Sequence, residues 1–275
     1  MTVYFNRSIG TEDPTGVNKM SLTKSNKARE VAEPSIEALI RQAPLSAPNN
    51  HWLAYQQLLD SALPIGGFSH SFGLETLVQQ ERLTTLSELE AYIRGMLAHN
   101  WASSDVMVIK ALYTLIPRHN LAGLWELNKM LHVQRVGSES RSGVQKMGRR
   151  LLGLARAMYP DLNWEPLEDA IRTSRCSANH PIVHGWVSYH LGVSLEQAAE
   201  GYLYTCVMTC INSALRLMSI GQTQGQTLLA KLIPVIGQEW QRVAQMDPLD
   251  AYTNSPAADL AMMQHETLYS RLFMS

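Results

Sequence analysis

An all-α fold is the prediction for this chain: a single compact multi-helix domain that follows an N-terminal extension. Leucine, alanine and methionine are plentiful while runs of β-branched residues are few, a composition that favours helices. Beyond residue 50, apolar residues recur at helical spacing, and proline or glycine separates one periodic segment from the next. We therefore assign the helical domain to residues 51–275, a length sufficient to bury a substantial core.

Residues 1–50 differ in composition from the rest of the chain. They are rich in serine, threonine, asparagine, proline and charged residues, and only residues 36–40 suggest a short helix. Such a segment buries too little apolar surface to fold alone, so we predict a flexible, disordered extension. The alternative is an arm that becomes ordered against a partner.

The overall charge and the cysteine content exclude several classes of function. The net charge is −1 and the isoelectric point is near 6.8, so we expect neither nucleic acid nor an anionic membrane as a partner. The sequence has no apolar run of membrane-spanning length and no signal-peptide core. Three cysteines without a framework of spacings indicate reduced thiols. We expect a soluble, cytoplasmic protein.

Residues 58–77 are the most distinctive stretch, in which one helix gives way to a turn and then to another helix. A proline that cannot continue a helix, with glycines that tolerate positive φ, predicts a tight structural turn. Its turn-forming residues are Pro64, Gly66, Gly67 and Gly73. We expect the first helix to stop at Pro64. Phe68 and Phe72 indicate a packed turn rather than a flexible linker.

The same stretch offers one catalytic alternative, a serine hydrolase. Ser69 and Ser71 flank His70, and the surrounding glycines superficially resemble a Gly-x-Ser-x-Gly nucleophile turn. The glycine spacing is wrong around both serines, and no strand-rich region precedes them as that turn requires. An adjacent serine and histidine rarely form a catalytic pair, because triad members converge from separate elements. A packed helical corner with capping serines is the favoured interpretation.

The later helices are predicted from capping residues and periodicity. Thr85 or Ser87 can cap a helix whose first turn carries acidic side chains. Residues 106–116 form a nearly all-apolar helix that ends at Pro117, so this helix should be central. Ser194 caps another helix. Further helices are predicted at residues 121–131, 167–173, 184–191 and 228–243.

A basic run follows the predicted helix 121–131. Its members, opposed nearby only by Glu139, are Arg135, Arg141, Lys146, Arg149, Arg150 and Arg156. Such a run is usually the solvated face of a helix. The functional alternative is a docking surface for an acidic partner or for phosphate.

The spacing of Cys176, His180 and His184 suggests a metal site, since three residues four apart share one face of a continuous helix. However, Pro181 would cost about 3 kcal/mol inside such a helix, and it fits best at the first helical position. No fourth ligand is evident, so no metal and no cofactor are predicted. Residues 206 and 210 are cysteines within an apolar segment, and buried thiols explain them best.

Two features near the end of the chain indicate protein contacts. Arg216 interrupts a long apolar run, so it should either pair with a carboxylate or face an interface. At residues 265–275, Tyr269, Leu272 and Phe273 are apolar groups in a segment that would normally fray. They should either pack back on the domain or dock into a partner.

Four separated segments resemble the UreF family of urease accessory proteins, in the same order. They are residues 63–75, residues 180–185, Arg216 with the Gly-Gln pair at 221–222, and residues 265–273. The resemblance covers about residues 52–275. It implies an all-helical, non-enzymatic chaperone that forms a homodimer and takes part in nickel insertion into urease.

The resemblance also implies partners and the residues that meet them. Glu75 and Arg216 would belong to the surface that couples the protein to the GTPase UreG. The protein would bridge UreG to UreD, also called UreH, and modulate GTP-dependent nickel delivery to apo-urease. The residues expected on the UreD/UreH side are Tyr269, Arg271, Leu272 and Phe273. The competing class is an enzyme, either a serine hydrolase or a metal enzyme.

Overall fold

The computed structural model describes residues 51–275, and within them the chain forms helices and no strands. The prediction of an all-α fold is confirmed, whereas the predicted flexible extension over residues 1–50 lies outside the described residues. The helices are α1 (His51–Leu59), α2 (Leu74–Gln79), α3 (Leu86–Met96), α4 (Val106–Leu115), α5 (Leu121–Gln134), α6 (Ser138–Met158), α7 (Glu165–Arg172), α8 (His180–His190), α9 (Leu195–Leu217), α10 (Gln222–Val243) and α11 (Pro256–Gln264).

Helix α8 lies at the centre of the core. Asn179 caps it by accepting a hydrogen bond from the amide of Ile182, and Pro181 occupies its first turn. All residues from 180 to 188 are buried, because α8 packs on α4 along one side and on α6 along another. Helix α9 packs against both α4 and α10, which closes the core on the opposite side.

Helix α6 approaches the start of α8 closely at a glycine. A Cβ atom at Gly148 would lie 2.3 Å from the carbonyl oxygen of Ala178 and 2.4 Å from the carbonyl carbon of Asn179. Both atoms belong to the backbone and cannot move aside without shifting α8. The close packing of the two helices therefore requires glycine at this position.

We expect Gly148→Ala to destabilise the domain by about 1–3 kcal/mol, the usual cost of forcing extra atoms into a packed core. Gly153→Ala is the matched control, because its Cβ would meet no atom within 4 Å on the same helix. That change should stabilise the domain by up to about 1 kcal/mol through better helix propensity. Urea denaturation of both variants is the measurement, and equal midpoints would contradict the prediction.

The predicted helices around residues 86–116 form one continuous helical path. Thr85 caps α3, with Glu88 completing a reciprocal capping box. Residues Leu97–Asp105 then adopt a π-helix that leads directly into α4. A π-helix displaces carbonyl groups from the regular ladder, and two of them accept hydrogen bonds from the amides of Tyr252 and Asn254.

The first helix ends earlier than predicted. Helix α1 stops at Leu59, and Asp60 begins a turn by accepting hydrogen bonds from Ala62 and Leu63. An aspartate side chain that bonds its own following backbone competes with helix continuation. Pro64 therefore lies within the turn and does not itself end the helix.

Arg135 departs from the prediction of a solvated basic face. Its side chain is 11% exposed and pairs with Asp105, whose other carboxylate oxygen accepts a hydrogen bond from the Tyr202 hydroxyl at 2.9 Å. Burial alone would lower the pKa of Arg135, but the adjacent Asp105 carboxylate outweighs it and raises the pKa. By contrast, Lys146 and Arg150 are exposed on α6.

Within residues 51–275, none of the helices is long and apolar enough to cross a lipid bilayer. The three cysteines are unpaired thiols. Burial raises the pKa of Cys176 and of Cys210 to about 12, so neither sulfur is a thiolate near neutral pH.

Candidate functional site

The glycine-rich turn between α1 and α2 has a fixed backbone. Gly66 and Gly73 adopt φ values of 85° and 91°, in the left-handed region that favours glycine. Between them, Gly67–Ser69 forms a single 3-10 turn. Phe72 is half-buried against the core, whereas Phe68 is 69% exposed and does not pack as the sequence indicated.

The last residues of the chain lie directly on this turn. The amide of Met274 donates to the carbonyl of Ser69 at 2.8 Å. In the reverse direction, the amides of Ser71 and Phe72 donate to the main-chain oxygen of Ser275 at 2.5 and 3.0 Å. The Ser71 hydroxyl donates to the same oxygen at 2.9 Å. Residues 268–275, here called the tail, are thus held by the turn's own backbone.

Glu75 is the buried anchor of the tail. One of its carboxylate oxygens accepts from the amide of Leu272 at 2.6 Å, and the other accepts from the amide of Phe273 at 3.1 Å. Nε2 of His265 lies 3.0 Å from the second oxygen. Glu75 is only 1% exposed in this structure, and its expected place on the UreG side stays a prediction. Any effect of this residue on a partner would act through the tail.

His265 joins two carboxylates. It is fully buried, and its Nδ1 atom lies 2.7 Å from Glu139 while its Nε2 atom contacts Glu75. Arg271 from the tail pairs with Glu139 at 2.7 Å. Burial alone would raise the pKa of Glu139, but the bonds from His265 and Arg271 hold that pKa below its ordinary value. A charge network therefore fastens the tail to the start of α6.

Arg216 joins the turn to the tail from the end of α9. Its Nη1 atom donates to the carbonyl of Phe68 at 2.7 Å, and its guanidinium lies 4.4 Å from the centroid of the Phe273 ring. Nearby, the hydroxyl of Ser213 donates to the carbonyl of His70 at 3.3 Å. Among the described residues, no carboxylate pairs with Arg216. Of the two predicted alternatives, pairing with a carboxylate is therefore not seen in the described residues, and facing an interface stays a prediction.

The tail residues divide into anchors and exposed groups. Phe273 is 4% exposed and packs into the domain, and Arg271 is occupied by its ion pair. Tyr269 is fully exposed and Leu272 is 53% exposed. Part of the tail therefore packs back on the domain and part faces outward, while docking of the exposed residues into a partner stays a prediction.

The geometry does not support the hydrolase alternative at residues 69–71. The hydroxyl of Ser69 donates to the carbonyl of Gly66, and that of Ser71 donates to Ser275, so neither is directed to His70. Instead, Nδ1 of His70 lies 2.7 Å from Oγ of Ser275. Burial, with a smaller contribution from nearby cations, lowers the pKa of His70 to about 4. An imidazole of that pKa is a weak general base.

The metal alternative is disfavoured by where α8 begins. His180 starts the helix and His184 follows one turn later, whereas Cys176 precedes the helix and directs its sulfur to Asn128. Over residues 51–275, no group of three or more His, Cys, Asp or Glu side chains is placed to hold a metal ion. The imidazole of His184 packs edge to face against the imidazole of His180 and against the ring of Tyr202.

We expect the two histidines of α8 to make the fold sensitive to acid. Burial lowers the pKa of His180 to about 4 and that of His184 to about 3. Between pH 6.5 and these values the unfolded chain binds more protons than the folded chain, so stability falls as pH falls. At pH 5.5 each histidine should cost about 1 kcal/mol relative to pH 7.5. Urea denaturation at both pH values, repeated with His184→Gln, should show a smaller pH difference in the variant.

Sequence reasoning missed a cluster of buried polar side chains beside the turn. A cavity of about 40 Å³, large enough for one or two water molecules, is lined in part by Asp105, Arg135, Tyr202, His180 and Cys206. These residues come from four places in the fold: the end of the π-helix, the C-cap of α5, the start of α8, and α9. The only sequence signal for this cluster was Asp105, an acidic residue immediately before the apolar run at 106–116. The positions of Glu139 and His265 as tail anchors carried no such signal.

Fold and site together define a class of protein. It is an all-helical domain in which a glycine-rich turn and Arg216 hold the tail, and in which part of the tail stays exposed. The family model for UreF matches residues 83–233, and the chain belongs to the UreF family of urease accessory proteins. The urease accessory protein UreF of Bacillus sp. (strain TB-90) is 33% identical, over 82% of this chain and the whole of that protein.

Two further relatives are similarly distant and similarly complete. UreF of Actinobacillus pleuropneumoniae serotype 5b (strain L20) is 32% identical over 81% of this chain and 98% of that protein. UreF of Streptococcus salivarius (strain 57.I) is 28% identical over 82% of this chain and 94% of that protein. The similarity therefore extends over most of the helical domain.

Proposed function

We propose that this chain is a non-enzymatic assembly factor for the nickel centre of urease. In this proposal it acts in the cytoplasm as a homodimer, bridges UreD/UreH to the GTPase UreG, and modulates GTP-dependent nickel delivery to apo-urease. The observation that carries the proposal is the meeting of the turn at 63–75, Arg216 and the tail at one surface. Family membership supports the same assignment.

The tail is suited to bind UreD/UreH. Its anchors fix the backbone before a partner arrives, so less conformational entropy is lost on binding. That backbone then presents Tyr269 and Leu272 outward, and tyrosine is one of the residues that most often dominate the energy of a protein interface. Phe273 and Arg271 would act by holding this segment in place.

Arg216 is suited to couple the tail with UreG. It is exposed, and it contacts both the turn and the tail through Phe68 and Phe273. A change in how the tail sits would therefore alter the position of this cation. We propose that UreG contacts the surface around Arg216 and that Glu75 affects this contact only indirectly.

Stepwise co-purification tests the proposal. The chain is mixed first with UreD/UreH and then with UreG, and the mass of each complex is measured by light scattering. We expect a stable complex that contains two copies of this chain and gains UreG in the second step. Failure of both partners to bind would overturn the proposed function.

Exposed tail residues should contribute directly to UreD/UreH affinity. We expect Tyr269→Ala combined with Leu272→Ala to weaken binding by at least about 30-fold, because truncating interface anchors typically costs 2 kcal/mol or more. Leu249→Ala is the matched control, since Leu249 is 72% exposed outside the tail. Deleting residues 265–275 should weaken binding further. Unchanged affinity in both tail variants, measured by titration calorimetry, would refute tail docking.

A further inference from the structure

An exposed aromatic residue at the turn is flanked by cations from two helices. Phe68 is 69% exposed. Arg216 donates to the main-chain carbonyl of Phe68. The guanidinium of Arg150 lies so close to Gly66 that a Cβ there would be 2.0 Å from Nη1. The exposed Phe68 ring thus belongs to a turn that two guanidinium groups contact within three residues.

A groove continues this surface along α6 toward the tail. Lys146 and His70 line it together with Phe273. Lys146 and Arg150 are both close enough to His70 to lower its pKa, which shows that their charges act on the same place. Glu139 also lines the groove, but Arg271 and His265 already occupy its carboxylate.

The cations of this surface lack acidic partners within the chain. Across residues 51–275, the described ion pairs include none of Lys146, Arg150 or Arg216. Elsewhere on the same helix, Arg156 pairs with Glu168. The turn that carries the exposed Phe68 ring therefore has three such cations beside it.

We propose that the surface formed by Phe68, Lys146, Arg150 and Arg216 binds an acidic segment of UreG that also carries an apolar side chain. The carboxylates would pair with the three cations, and the apolar group would cover the Phe68 ring. Free phosphate would use the cations but leave the ring exposed, so a peptide chain fits the observations better. The identity of the partner rests on the proposed function, whereas the chemistry of the surface does not.

Binding measurements with two protein-like probes, and with a polyphosphate for comparison, test this inference. The first probe is purified UreG, added to the complex of this chain with UreD/UreH. The second is a synthetic peptide of glutamates interrupted by leucines, added to the full chain alone. We expect Arg150→Glu and Phe68→Ala each to weaken binding of both probes by at least tenfold. Raising salt from 50 to 300 mM should weaken wild-type binding about tenfold and Arg150→Glu binding less, since screening acts on exposed charges.

Lys129→Glu is the matched control, because Lys129 is exposed and outside the described ion pairs but lies on α5, away from the groove. We expect it to change affinity less than twofold. If UreG does not bind but the peptide binds and depends on Arg150, the surface chemistry stands and the proposed function fails. If UreG binds equally well to all variants, or binding of a polyphosphate is equally sensitive to Phe68→Ala, the inference is overturned.

Discussion

Replacing Glu75 with alanine should release the tail while the helical domain stays folded. The carboxylate is the shared acceptor for the amides of Leu272 and Phe273 and for His265. Without it these donors would be buried unsatisfied, at about 1–3 kcal/mol each, so detachment of the tail costs less than retaining it. We expect hydrogen exchange at residues 268–275 to become at least tenfold faster, with helical circular dichroism unchanged.

The same variant should lose UreD/UreH affinity without touching the partner. A released tail must be ordered again on binding, and ordering several residues costs about 1–2 kcal/mol each. Glu75→Gln should be intermediate, because an amide keeps one accepting oxygen but replaces the other with a donor. Glu266→Ala is the control, because it removes an acid next to the tail that accepts only an exposed hydrogen bond from Ser138 and contacts none of the tail amides. Slow exchange in the tail of Glu75→Ala would show that the other contacts suffice.

The fold was predictable because local signals agree with the tertiary structure. Thr85 followed by Glu88 specifies a helix start within four residues, and Pro181 after Asn179 does the same for α8. These signals need no distant partner. The π-helix at Leu97–Asp105 could not be predicted, because its displaced carbonyls are satisfied by amides about 150 residues away.

The site was predictable only as a set of segments. Sequence identified the turn, Arg216 and the tail as distinctive, but not that they contact one another. Glu75 is an acid near a helix start, which ordinarily indicates an exposed residue favoured by the helix dipole. Its burial depends on three donors from residues 265–273, and no local pattern around position 75 encodes them.

The arginines of the basic run differ in burial, and the causes lie in elements outside the run. Arg135 is buried because Asp105, at the end of the π-helix, lies opposite it. Arg150 is exposed, and its guanidinium lies against a glycine of the turn. The sequence identifies the run as basic, but the burial of each side chain depends on which distant element it faces.

The largest loss of stability is expected from breaking the buried Arg135–Asp105 pair. Arg135→Ala would leave the Asp105 carboxylate inside the protein with only the Tyr202 hydroxyl as a donor. Removing one partner of a buried pair typically costs about 3–5 kcal/mol, because the remaining charge is uncompensated. We expect a loss of that size in urea denaturation at pH 7.5.

A double variant separates the cost of an unpaired charge from the value of the pair itself. Arg135→Met combined with Asp105→Asn removes both charges and keeps an acceptor for Tyr202, so it should recover at least half of the lost stability. Arg156→Ala is the control from the same basic run, since its pair with Glu168 is 55% exposed on the arginine side and should contribute at most about 1 kcal/mol. If Arg135→Ala and Arg156→Ala had equal effects, the Arg135–Asp105 pair would behave as a surface contact. Burial of the pair would then not explain the stability that we attribute to it.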